Sequence, residues 1–114
     1  HAEVRQSLCQ LANQVRAAIQ KHIKALAIAR SLSVTSDAGD GDAFVAASWN
    51  VLYAERKCDE LFRQGRRILL DTTTDAATLM LTNDLASTLE SASDRLLAAG
   101  YALREVAFTQ TEAR

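Results

Sequence analysis

Apolar residues recur at three- and four-residue steps along most of the chain. From Ala2 to about Leu32, Val4, Leu8, Leu11, Val15, Ala18, Ala25 and Ala29 keep that spacing or multiples of it, with Ile19, Ile23 and Leu26 beside them. Arg5, Gln6, Asn13, Arg16, Gln20, Lys21 and Lys24 occupy the other face, which predicts one long amphipathic helix over about 2–32. The stretch Ser33 to Asp42 collects Ser, Asp and Gly, residues that cap helices and close turns, and ends that helix. With Asp42 as N-cap, a second helix is expected over 43–70, its stripe formed by Phe44, Ala47, Val51, Ala54, Cys58, Leu61, Gly65 and Ile68. The polar break from Asp71 to Asp75 offers its last residue as cap of a third helix over 75–109. The stripe of that helix is Leu79, Thr82, Ala86, Leu89, Ala92 or Ser93, Leu96, Ala99, Leu103 and Val106.

Links of about ten and about five residues are short beside such helices, so consecutive helices should run antiparallel. The expected fold is all-α, an up-down-up three-helix bundle with Leu11, Val15, Val51, Leu61, Leu89 and Leu96 facing one core. Composition agrees: the 114 residues include no proline, only four glycines and 48% hydrophobic residues, leaving little turn material. One helical domain spanning residues 1–114 is expected. The chain begins at His1, which reads as one unit cut from a longer protein.

The formal charge of −1 argues against nucleic-acid binding, which favours a strong basic excess. No apolar run approaches the roughly 20 residues that cross a bilayer, so membrane insertion is not expected. Cys9 and Cys58, far apart in a chain with no evident leader, read as reduced, buried small hydrophobes and fit a cytoplasmic location.

The most informative polar pattern is a pair of carboxylates at i and i+4 on each of the last two helices, Glu55 with Asp59 and Glu90 with Asp94. Leu52 and Phe62 continue the first face, Leu97 and Tyr101 the second, so the acids border the apolar side. Like charges at this spacing repel by a few tenths of a kcal/mol. Reversing the chain at about residue 73 sets Glu55 level with about residue 91 and Asp59 with about residue 87, so the pairs lie within a turn of each other. Carboxylates converging from neighbouring helices suit hard cations and iron or manganese. Ordinary surface acids paired with Arg56, Lys57, Arg63 or Arg95 give the same spacing.

The segments Ser48 to Leu70 and Asp84 to Val106 resemble the PhoU-like family, closest to the phosphate-transport regulators that accompany Pit-type transporters. That family repeats an acid-x-x-x-Asp motif on consecutive helices of three-helix units, matched here by Glu55 to Leu61 and by Leu89 to Arg95. The resemblance implies a regulatory module of phosphate uptake, a surface iron or zinc cluster held by Glu55, Asp59, Glu90 and Asp94, and a protein partner such as a phosphate transporter or sensor. It also implies a full-length protein of two units of which this chain is the C-terminal one, and a homo-oligomer is expected beside the protein partner. A plain helical dimerisation or partner-docking domain without metal is the alternative.

His22 lies on or beside the seam of the first helix and reads as a core-edge histidine hydrogen-bonded across the bundle, rather than a phosphotransfer site. Arg56, Arg63 and Arg67, with Arg66 adjacent, form a charged face suited to water or to an acidic partner. Trp49 and Tyr53, four apart, either anchor a partner or cover the first interhelical link. No serine elbow, cysteine and histidine pair or phosphate loop occurs, and Gly39 and Gly41 do not make one, so no enzyme activity is expected.

Overall fold

The computed structural model of the chain describes residues 2–32 and 38–112. It contains three helices, α1 Ala2–Ser31, α2 Ala38–Thr72 and α3 Ala76–Glu112, and no strand among the described residues. At about 1.5 Å per residue, helices of this length approach the long dimension of the 60 × 17 × 16 Å rod they build.

The expected up-down-up order is present. Ser7, near the start of α1, lies against Gly65 near the end of α2. At the other end of the rod Ala29 and Leu32, Phe44 and Ala107 share one buried cluster. The buried positions hold to a seven-residue rhythm, with Leu11, Val15, Ala18, Ala25 and Ala29 on α1 and Phe44, Ala47, Val51, Ala54 and Cys58 on α2. A strict seven-residue repeat keeps the seam facing its neighbours only if the helices wrap around one another with a left-handed twist. Many seam residues are small, which lets the backbones approach closely.

Leu61, Leu89 and Leu96 are partly buried against the cluster formed by Leu11, Val15, Ala54 and Cys58. Near its C-terminus α3 departs from the expected stripe: Val106 is 56% exposed and Ala107 is buried, while Ala99 is exposed and Gly100 half-buried. Keeping the seven-residue repeat after Ser93 leads to Gly100 and Ala107, whereas the expected stripe slipped by one position.

The helix ends differ more. Asp75 caps α3 as expected: its carboxylate accepts from the Thr78 amide at 2.8 Å and the Thr78 hydroxyl at 2.6 Å. Asp42 caps nothing, because α2 begins earlier, at Ala38, and Asp42 lies inside it. Asp40 stands in the first turn of α2, where a negative charge meets the positive end of the helix dipole. The link is therefore shorter than expected, and its residues 33–37 lie outside the described ones. Cys58 is fully buried, but Cys9 is exposed, because it lies two positions from each of the buried Ser7 and Leu11 and so turns to the opposite side of α1.

Candidate functional site

The relative height of α2 and α3 fixes which acids meet. Cys58 sits beside Ser93, Val51 lies against Gly100, and the Phe44 and Phe108 rings meet edge to face with centroids 6.5 Å apart. Positions 58 and 93 are equidistant from a midpoint between residues 75 and 76, as are 51 and 100. The contacting pairs are thus displaced from the expected reversal at residue 73. Helical side chains lean toward their own N-terminus, so in an antiparallel pair the residues that touch are later in sequence than those that are level. The displacement turns Asp94 toward Glu55 and Glu90 toward Asp59.

All four acids join one patch on the α2/α3 seam. Glu55, Asp59 and Glu90 are half-buried and Asp94 is exposed. The Glu55 carboxyl is pushed above the usual carboxylate range, first by burial, then by the charge of Asp59 and by a hydrogen bond with Asp94, with Arg56 opposing. Glu90 moves the same way through burial, a hydrogen bond with Asp94 and the charges of Asp94, Asp59 and Glu55. Among the described residues Asp59 alone of the four forms a salt bridge, to Arg63 at 2.9 Å.

The sequence reading missed the floor of this patch. Cys58 and Ser93, at 0% and 1% exposure, lie between the acid pairs, so each helix contributes an acid, a small residue and an Asp at i, i+3 and i+4. Burial pushes the Cys58 thiol up, opposed by Ser93, and Glu55 pushes it further. The Ser93 hydroxyl has no partner that meets hydrogen-bond geometry, leaving the weak thiol as its neighbour. The signal was legible as Glu-x-x-Cys-Asp on α2 and Glu-x-x-Ser-Asp on α3.

Four carboxylates without a histidine suit a hard cation by donor chemistry. Yet among the described residues no group of three or more His, Cys, Asp or Glu side chains is arranged to hold a metal ion.

The other candidates fall elsewhere. The Nδ1 atom of His22 is buried without a hydrogen-bond partner among the described residues, so this nitrogen does not make the expected bond across the bundle. Arg66 lies over the Phe62 ring, 5.6 Å from its centroid, and Arg63 is engaged by Asp59. Trp49 and Tyr53 stack with centroids 6.0 Å apart and remain 49% and 57% exposed. Beside Trp49 a cavity of about 30 Å³ opens between α2 and α3, with Leu52, Leu97, Gly100 and Tyr101 in its lining. No helix among the described residues is long and apolar enough to cross a membrane. No family model, curated protein or solved structure matches the chain.

Proposed function

We propose that this chain is a metal-associated regulatory module that acts through protein–protein contact. The observation that carries the reading is the convergence of Glu55, Asp59, Glu90 and Asp94 on one seam, where burial and mutual repulsion raise Glu55 and Glu90. Such a cluster is destabilised when ionised and gains from any cation that neutralises it. The resemblance of both acid-x-x-x-Asp segments to the PhoU-like family extends the reading to an iron or zinc cluster and to phosphate uptake in the cytoplasm. On that resemblance the partner is a phosphate transporter or sensor, and the module works as an oligomer.

A second reading, a docking or dimerisation domain without metal, draws support from the stacked and exposed Trp49 and Tyr53. Elemental analysis of protein purified from its native host separates the two. Iron or zinc present in the natural sequence and lost on Asp59→Asn with Asp94→Asn supports the metal-associated module. Equal content in both proteins leaves the metal-free domain.

A further inference from the structure

The α2/α3 seam carries its chemistry in an ordered series. Arg104 stands at one end, its guanidinium 5.8 Å from the Phe108 ring centroid. Next comes the cavity beside Trp49 and Tyr101, and then the four acids. The cavity owes part of its room to Gly100: a Cβ there would meet Val51 Cγ1 at 3.4 Å, so any larger side chain would fill the space. A volume of about 30 Å³ exceeds the roughly 10–15 Å³ that admits one water and accommodates the end of one aliphatic side chain. Around it Trp49 and Tyr101 stay 49% and 50% exposed. Glu55 follows Leu52 by one helical turn and Asp94 precedes Leu97 by one turn, which sets the carboxylates about 5–9 Å along the seam from the cavity.

We infer that the α2/α3 seam is a docking site for a cationic amphipathic segment of a partner protein. Such a segment seats one aliphatic or aromatic anchor between Trp49 and Tyr101 and lays Lys or Arg over Glu55 and Asp94, one to two turns away. The inference rests on the protein-contact part of the proposed function and not on metal.

Charge selects the occupant. A basic side chain over the patch relieves the repulsion among the acids, three of which form no salt bridge among the described residues. An anionic lipid surface would be repelled at the same place. A second copy of this chain, docked by the same seam across a two-fold axis, would bring four more acids with it, while its Arg63 is already engaged by Asp59. The exposed aromatic pair supplies the rigid contact area on which binding hot spots are built.

The test uses the full chain and a phage-displayed library of 16-residue peptides, selected in the presence of EDTA, with the enriched peptide then synthesised and titrated. The expected consensus has a Leu, Ile, Phe or Trp anchor with Lys or Arg three to eight residues to one side. Binding should weaken at least about tenfold with Trp49→Ala, and again with Glu55→Gln plus Asp94→Asn. Ile23→Ser, on the exposed face of α1, should leave it unchanged. A consensus lacking basic residues, affinity indifferent to both seam variants, or a stable dimer that Trp49→Ala dissolves would overturn the inference. Because EDTA is present, loss of docking with native metal content intact would refute this inference alone, and docking without native metal would refute only the metal reading.

Discussion

The carboxyl groups of Glu55 on α2 and Asp94 on α3 face each other across the helical seam, where burial and the neighbouring charges of Asp59 and Asp94 raise the Glu55 carboxyl. Glu55 therefore holds its proton more tightly in the folded chain than in the unfolded one. Its favourable contribution is complete below the unfolded value of about 4.3 and is lost as pH rises through the folded value. Glu55→Gln should accordingly be more stable than the natural protein at pH 7, by a few tenths of a kcal/mol for each like-charge contact relieved. The gap should narrow toward pH 4. Thermal melts across that range check it, and a variant less stable than the natural protein at pH 7 would contradict the account.

A methyl group added at Gly65 would stand 2.8 Å from the Ser7 hydroxyl oxygen, with the Ser7 Cβ at 4.0 Å. Ser7 is buried, so its hydroxyl has little room to turn away. Gly65→Ala should forfeit most of the roughly 0.8–1 kcal/mol that alanine gains in a helix interior. Adding Ser7→Ala removes the clash and should recover it. Denaturant melts of the two single variants and the double variant measure this coupling, and strict additivity would rule it out.

Phe44 is 1% exposed and Leu11 is 2% exposed, whereas Leu81 is 70% exposed. Phe44→Ala should cost about 3–5 kcal/mol and Leu11→Ala about 2–5 kcal/mol, while Leu81→Ser should cost less than about 0.5 kcal/mol. Equilibrium unfolding in urea provides the comparison, and similar costs at all three positions would be incompatible with this core.

The two thiols should behave differently. Cys9 is exposed and Cys58 buried, and burial raises the Cys58 thiol further from its reactive form. A thiol reagent should label one cysteine in the native protein and both after unfolding. Rapid labelling of Cys58 under native conditions, read by mass spectrometry, would show that the seam opens.

Much of this arrangement is legible in the sequence because helix periodicity is a local property. Phe44, Val51, Ala54 and Cys58 fall on the buried face where their spacing places them, and Asp75 caps α3 as its position announces. The start of α2 was less legible: in a run holding Asp37, Asp40 and Asp42, several residues can cap, and nothing local prefers the earlier start. The seam near Gly100 and Ala107 was missed because Ala99 and Val106 look equally apolar, and only packing decides between adjacent positions. Convergence of the four acids followed from antiparallel topology. The pairing of Glu55 with Asp94 depended on side-chain lean, which residue counting ignores.

The central claim is that these four acids act together as a cation site, and a calorimetric titration of the full chain with zinc and with ferrous iron tests it most directly. The account predicts saturable binding at one defined stoichiometry, a raised melting temperature for the loaded protein, and loss of both when Asp59→Asn and Asp94→Asn are combined. Identical heats and identical melting shifts in the natural and doubly substituted proteins would contradict it.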